Sequence, residues 1–319
     1  MKSFSIGDGF EERLIQAIPA EFRKIGPVKG KDGVCRLQAV SRWSELTPEV
    51  LPLIPLKKFV FPPRDELWSL AQEGYREPPA ILPVALLGIP PCDLYALDYL
   101  DRVFEEDVLY RRRREQLLLV GTGCTPSERC FCPPRRGPPS FDLFLGEDWV
   151  WAGSPKGEAL LGGLGEGEEI EGLPFPEESC RGAGPPLPDN LEEVFRDAAG
   201  RSIWREVGGR CLSCGACSAV CPTCYCYDVV DETDLAGEVR RVREWDNCFF
   251  RTHGLVAGGH NFRPDRGARL RFRFEHKFLG FGPLRGVSSC VGCGRCGSAC
   301  PVKIDVAEML SGLTAGEGL

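Results

Sequence analysis

One cysteine pattern occurs twice in this chain and constrains its fold more than any other feature. The first copy reads CLSCGACSAVCP and the second reads CVGCGRCGSACP. Both fit C-x2-C-x2-C-x3-C-P, a run whose thiolates bind [4Fe–4S] clusters. The chain therefore has to fold so that two groups of ligands, about seventy residues apart in sequence, each take part in a cluster.

The ligands are predicted to cross between the copies, because the fourth cysteine of such a run binds the other cluster. We assign the first cluster to Cys211, Cys214, Cys217 and Cys300. We assign the second cluster to Cys290, Cys293, Cys296 and Cys221. Structural zinc is the alternative, but zinc sites use cysteine pairs, not a triplet with a trailing Cys-Pro.

The composition indicates a reducing compartment. The chain has 17 cysteines in 319 residues, and its N-terminus lacks an apolar stretch of signal-peptide length, so clustered thiols indicate metal binding and a cytoplasmic location. Its apolar runs are too short to span a bilayer. The net charge of −7 argues against nucleic acid as the main partner.

Residues 1–152 are predicted to form an α/β domain with a partly parallel sheet. The apolar run AILPVALLGI reads as a buried strand, DLYALDYLDRVF as a helix and EQLLLVG as a second buried strand. Strand, helix and strand in this order favour parallel pairing. FDLFLG and DWVWAG read as shorter strands of the same domain.

The rest of the chain divides into a linker and a second domain, which completes an α+β two-domain protein. Residues 153–190 are rich in Gly, Pro and Glu and are predicted to be a linker or loop. Residues 191–319 are predicted to form an all-helical ferredoxin-like domain with a long insertion, an architecture similar to that of fumarate reductase iron–sulfur subunits.

The insertion between the motifs carries three more cysteines, Cys224, Cys226 and Cys248. They are predicted to pack as thiols near the clusters, and the alternative is that they ligate a further group. The insertion is also basic, which indicates either a positive shell around the clusters or a solvated face of alternating charge, with RLRFRF as an ordinary strand. Its basic residues include Arg240, Arg241, Arg243, Arg251, Arg263, Arg266, Arg269, Arg271, Arg273 and Lys277.

Four cysteines of the first domain are candidates for a third [4Fe–4S] cluster. Cys92 and Cys124 each follow one of the two predicted buried strands, and Cys130 and Cys132 come soon after. Open α/β sheets place their sites at the carboxyl ends of parallel strands. The C-x5-C-x-C spacing is not a standard cluster motif, so reduced thiols or zinc remain alternatives.

Several segments together resemble two protein families. GIPPCDLYALDYLDRVFEED, YRRRREQLLLVGTGC, CFC, CPTCYCYD, REWDNC, GGHNFR and CVGCGRC resemble the beta subunit of cytosolic sulfhydrogenase-type nickel–iron hydrogenases and the cluster-carrying subunit of anaerobic sulfite reductase. The resemblance covers nearly the whole chain from about residue 50. It implies a cluster-bearing relay whose partners are a catalytic metal subunit and a flavin- and NAD(P)H-binding subunit.

The remaining motifs agree with an electron-transfer subunit that is not catalytic alone. No G-x-G-x-x-G follows a strand, no P-loop is present and no nucleophile has a base beside it, so nucleotide binding and bond chemistry are not indicated. The alternative is a self-sufficient reductase whose α/β domain binds substrate or flavin. A zinc-held assembly scaffold is a third, structural possibility.

Overall fold

The computed structural model describes residues 2–133, 137–164, 168–173, 175 and 190–315. Its strands there are β1 (Lys2–Ser5), β2 (Arg23–Lys29), β3 (Cys35–Ala39), β4 (Arg64–Ala71), β5 (Gly74–Arg76), β6 (Val84–Ile89), β7 (Leu117–Thr122), β8 (Leu143–Leu145), β9 (Trp149–Ala152), β10 (Tyr227–Thr233) and β11 (Val239–Trp245). Its α-helices there are α1 (Phe10–Ala17), α2 (Pro91–Val103), α3 (Val108–Glu115), α4 (Pro155–Leu164), α5 (Leu191–Asp197), α6 (Ile203–Arg210), α7 (Ala216–Ala219), α8 (Arg266–Leu279), α9 (Arg295–Ser298) and α10 (Val306–Ala315).

The chain divides into two compact units that interleave along the sequence. The first unit comprises Met1–Val60, Ala80–Pro126 and Pro134–Arg181. The second comprises Phe61–Pro79, Ser127–Pro133 and Gly182–Leu319. The boundaries predicted from the sequence, 1–152, 153–190 and 191–319, place the short segments 61–79 and 127–133 in the first domain instead.

The first unit contains a mixed sheet in which the strand order is β1-β9-β8-β7-β6-β2-β3. The central strands β2, β6, β7 and β8 pair in parallel, and the outer pairs are antiparallel. The predicted strand, helix and strand therefore exist as β6, α2 and β7, with Leu86 opposite Leu119. The parallel pairing confirms the α+β class with a partly parallel sheet. Strands β6 and β7 are buried on both faces, which is typical of parallel strands.

Apolar side chains on both faces of the sheet form the core of the first unit. Phe10 and Leu14, one turn apart on α1, pack with Val120 and Leu143 of the sheet in one cluster of buried residues. On Gly121 a Cβ atom would lie 2.8 Å from Leu94 of α2. The absence of a side chain at Gly121 thus lets α2 lie close to β7.

The second unit is not all-helical, so that prediction is wrong. Strands β10 and β11 form a hairpin within the insertion, and the sheet order is β10-β11-β4-β5. Strand β11 places Arg243 inside, where its guanidinium donates to the carboxylate of Asp65 over 2.7 Å. The sequence pattern missed this sheet because β4 comes from a segment more than a hundred residues earlier in the chain.

Helices α5, α6, α8 and α10 build the core of the second unit, in which Phe195, Trp204, Phe274 and Leu310 are buried together. Helix α8 contains RLRFRF, so the interpretation of that segment as a strand is also wrong. Its buried Leu270, Phe274 and Phe278 are four residues apart, which places them on one face of the helix.

Helices α6 and α8 come very close together. On Gly208 of α6 a Cβ atom would lie 2.6 Å from the Cα atom of Gly267 in α8. Only glycine at this crossing allows the two backbones to approach so closely. The contact fixes α8 against the helix that leads into the first cysteine motif.

The predicted linker is partly helical, because α4 occupies Pro155–Leu164. Residues 165–167, 174 and 176–189 of that predicted linker lie outside the described residues. None of the helices in the described ranges combines the length and the apolar character that crossing a bilayer requires.

Candidate iron–sulfur centres

The first set of predicted ligands lines one cavity in the second unit. Cys211, Cys214 and Cys217 come from the first motif, and Cys300 comes from the second, yet all four line this cavity. Cys296 also reaches its wall. The fold therefore brings the fourth cysteine of the second motif to the triplet of the first, as crossed ligation requires.

The second set of predicted ligands also brings cysteines of both motifs near one another. Cys296 lies within electrostatic reach of Cys221, Cys290 and Cys293. Burial raises the pKa of the Cys296 thiol above its ordinary value. Two sets of four thiols, each drawn from both motifs, are a donor set that fits two [4Fe–4S] clusters. Which of these cysteines bind iron stays a prediction.

Both motifs turn with the same backbone conformation. Gly215 and Gly294 have φ values of 77° and 68° and stand directly before α7 and α9. Two residues earlier, Ser213 and Gly292 have φ values of 52° and 69°. Left-handed residues at equivalent positions show that the sequence repeat is also a structural repeat, and such turns are typical of anion-binding backbone concavities.

Several basic residues of the insertion form ion pairs with carboxylates. Arg241 pairs with Asp231 across the hairpin, Arg240 pairs with Asp234, and Arg271 pairs with Glu275. These pairs are on or near the surface, as in the solvated-face interpretation. By contrast, α8 directs Arg273 and Lys277 toward the motifs.

Arg273 and Lys277 are buried next to cysteine-motif residues. Arg273 donates to the hydroxyl of Ser218 over 2.8 Å and to the carbonyl of Cys217 over 3.3 Å. Lys277 donates to the Thr223 hydroxyl over 2.7 Å, and that hydroxyl lies 3.5 Å from the Sγ atom of Cys221. The positive charge that the sequence predicted is thus concentrated in two side chains one helical turn apart.

The three additional cysteines of the insertion lie near the predicted ligands. Cys224 hydrogen-bonds with Cys221 and accepts a 3.4 Å contact from Arg273. Cys226 and Cys248 hydrogen-bond with each other. Cys248 is buried in the core of the unit, and Cys226 packs against that core. This placement agrees with thiols packed beside the centres.

Asn247 is a residue that the sequence reasoning missed. Its amide donates to the Gly215 carbonyl over 3.0 Å, while its Oδ1 atom accepts from the Ser218 hydroxyl and from the Phe249 backbone N–H. Asn247 thereby ties the end of the insertion to the first motif. In the sequence, only the position of Asn247 next to Cys248 could have indicated this role.

Cys130 and Cys132 belong to the second unit, in the segment Ser127–Pro133. The two thiols hydrogen-bond with each other. The hydrogen bonds from Cys132 and Ser127 lower the pKa of Cys130 to about 6. The Phe131 N–H donates to the Gly292 carbonyl over 2.8 Å, which packs this segment against the second motif.

Cys92 and Cys124 belong to the first unit. Cys92 lies in the first turn of α2, directly after β6, and Cys124 follows β7. Because β6 and β7 are parallel neighbours, both cysteines follow the carboxyl ends of these strands, on the same side of the sheet. The structure thus assigns two of the four candidate third-cluster ligands to each unit, and their joint role stays a prediction.

Comparison with known proteins places the chain in a family. Residues 210–304 match the model of the 4Fe-4S dicluster domain. The chain is 34% identical over 313 residues to Sulfhydrogenase 2 subunit beta of Pyrococcus furiosus, and the match covers 92% of this chain and 93% of that protein. No solved structure matches the chain. With this identity over almost its whole length, the chain belongs to the family of sulfhydrogenase beta subunits.

Proposed function

We propose that this chain is the iron–sulfur electron-transfer subunit of a multisubunit hydrogenase-type oxidoreductase in the cytoplasm. The observation that carries the proposal is the crossed set of cysteines, in which Cys300 lines the same cavity as Cys211, Cys214 and Cys217. A [4Fe–4S] cluster held by four thiolates takes up and releases single electrons.

The chain's own residues would bind, shield and orient the two centres. Phe249, Leu270 and Phe274 form an apolar part of the wall of the first cavity, which limits the access of water to the thiolates. The paired left-handed turns give the backbone N–H groups of each motif a concave arrangement. Cys214 is exposed, so the first centre would reach the surface, where an electron can pass to a partner.

The proposed partners are a catalytic metal subunit and a flavin- and NAD(P)H-binding subunit. The relative Sulfhydrogenase 2 subunit beta is by its name one subunit of a hydrogenase, which supports partner subunits here. The sequence offers no nucleotide fingerprint and no nucleophile with a base, which supports a relay that is not catalytic alone. A sulfite reductase partner is the alternative that the sequence resemblance allows.

The test is an anaerobic preparation of the full chain with iron, sulfide and flavin analysis. About eight irons and eight acid-labile sulfides per chain, from two cubanes, are expected for the motif clusters alone. The optical spectrum should show broad iron–sulfur absorption without flavin bands. Stoichiometric zinc without sulfide would overturn the proposal, and tightly bound flavin would favour a self-sufficient reductase.

A third [4Fe–4S] cluster at Cys92, Cys124, Cys130 and Cys132 is part of the proposal. The parallel pairing of β6 and β7 supports it for the first pair, and the facing thiols of Cys130 and Cys132 support it for the second. With this cluster the full chain would hold about twelve irons.

The third cluster has a matched test in the full chain. The Cys124→Ala variant should lose about four irons of about twelve. Cys35 is a suitable control, because it is buried in the first unit and contacts Thr47 and Val50. The Cys35→Ala variant should keep all the iron. An unchanged iron content in Cys124→Ala, or about eight irons in the parent chain, would refute the third cluster.

A further inference from the structure

Helix α8 places one arginine among the cysteines of both predicted clusters. Arg273 lines the cavity of Cys211, Cys214 and Cys217, and it is only 8% exposed. Its guanidinium donates to the Ser218 hydroxyl, to the Cys217 carbonyl and to the Sγ atom of Cys224. These bonds fix the orientation of the guanidinium toward the motifs.

The electrostatic neighbours of Arg273 come from both sets of predicted ligands. Cys217 of the first set and Cys296 of the second line the same cavity as Arg273, and Cys221 of the second set lies within electrostatic reach of it. Among the described residues, no carboxylate forms an ion pair with Arg273. A buried charge is costly unless an opposite charge compensates it, and in this pocket the negative charge comes from the cysteines.

We propose that Arg273 raises the reduction potentials of both motif clusters. The inference rests on the proposed function, since it requires the two clusters to be present. Each cluster becomes more negative by one charge when it is reduced. A fixed cation inside the protein, where screening is weak, favours that reduced state.

The position of Arg273 between the two sets gives it a second effect. An electron on one cluster disfavours an electron on the other, because like charges repel across a short distance. A cation that interacts with Cys217 of one set and with Cys221 and Cys296 of the other offsets this repulsion. Arg273 therefore raises both potentials together, which makes the uptake of a second electron less unfavourable.

Arg269 provides a matched control on the same helix. It lies one turn before Arg273 and is 7% exposed, so its burial is almost the same. Its guanidinium donates to the carbonyls of Arg263 and Pro264 over 3.0 Å and 2.9 Å. Unlike Arg273, Arg269 is not among the residues that line the cavity of Cys211, Cys214 and Cys217.

The experiment is a redox titration of the full chain with dithionite, followed by electron paramagnetic resonance. We expect Arg273→Gln to lower the reduced-to-oxidised ratio of both clusters about tenfold at a given potential, which is 59 mV for a one-electron couple. Arg273→Lys keeps the positive charge and should restore most of the shift. Arg269→Gln should leave both potentials unchanged.

The outcomes separate this inference from the proposed function. Two normal cluster signals with unshifted potentials in Arg273→Gln, or equal shifts in Arg273→Gln and Arg269→Gln, would overturn the role of Arg273. A parent chain without iron–sulfur signals would instead overturn the proposed function. Iron content and line shape of each variant show that its clusters are assembled, and Arg273→Lys provides the comparison if the glutamine variant loses iron.

Discussion

The two cysteine motifs have the same spacing but very different surroundings. In the first motif Leu212 is 53% exposed and Cys214 is exposed, whereas the equivalent Val291 is 4% exposed and Cys293 is buried. The difference comes from the segment Ser127–Pro133, which packs on the second motif through the Phe131 N–H and the Gly292 carbonyl. Identical ligand patterns can thus give one open and one covered centre.

The covering segment also explains a difference in residue type between the motifs. Ser213 and Gly292 occupy equivalent positions with positive φ values. On Gly292 a Cβ atom would lie 2.5 Å from the Phe131 carbonyl oxygen, which no side chain can tolerate. Glycine is therefore required where the segment covers the turn, and serine is accepted at the equivalent position of the first motif.

The largest expected effect is the loss of one whole cluster, and it tests whether the motifs really share their ligands. Cys300→Ala should remove about four of about eight motif irons, and the cluster lost should be the one that also needs Cys214. The remaining paramagnetic resonance signal should then equal that of Cys214→Ala. A match with Cys293→Ala instead would mean that each motif binds its own cluster.

An exchange of the residues at the two turns should give an asymmetric result. Gly292→Ser should destabilise the protein by about 3 kcal/mol, because its side chain would overlap the backbone of Phe131 and strain the left-handed turn. Ser213→Gly should change stability by less than about 1 kcal/mol. The measurement is the guanidinium midpoint for loss of cluster absorbance under anaerobic conditions. Similar losses in both variants would contradict a covering role for Ser127–Pro133.

Replacing the apolar residue that follows the first cysteine of each motif should likewise cost more stability in the second motif than in the first. Val291→Ser should cost about 2 kcal/mol, since a buried apolar side chain is replaced by a hydroxyl. Leu212→Ser should change stability by less than about 0.5 kcal/mol, because this leucine is mostly exposed. The same anaerobic unfolding assay applies, and a larger loss for Leu212→Ser would indicate that the first motif is not open.

The smallest effect concerns an ion pair of the covering segment. Arg129 donates to Asp305 over 2.8 Å, and Asp305 is largely buried. Removing the partner of a partly buried carboxylate with Arg129→Ala should cost about 1 kcal/mol. Arg196→Ala is the control, because its pair with Glu192 is exposed on a helix surface and should contribute less than about 0.5 kcal/mol. Equal unfolding midpoints in Arg129→Ala and Arg196→Ala would show that the pair of Arg129 with Asp305 does not stabilise the segment Ser127–Pro133.

The sequence alone determined the local features of this protein. The two C-x2-C-x2-C-x3-C-P runs predicted the crossed sets that the fold groups around Cys300 and Cys296. The apolar runs predicted the parallel strands β6 and β7 with α2 between them. The strand prediction is confirmed because hydrophobic periodicity is a property of neighbouring residues. The crossed ligation stays a prediction, which the grouping of the cysteines supports.

Only the tertiary structure decided which residues surround the motifs. The sheet that joins β4 to β11, the cover that Phe131 places on Gly292 and the burial of Arg273 all depend on contacts between residues far apart in the chain. The basic residues of the insertion gave no sign that α8 would direct Arg273 inward, because the position of α8 depends on its packing with α6, where Gly208 and Gly267 approach closely. The burial of a charged side chain such as Arg273 is set by the packing of whole elements, which local sequence patterns do not encode.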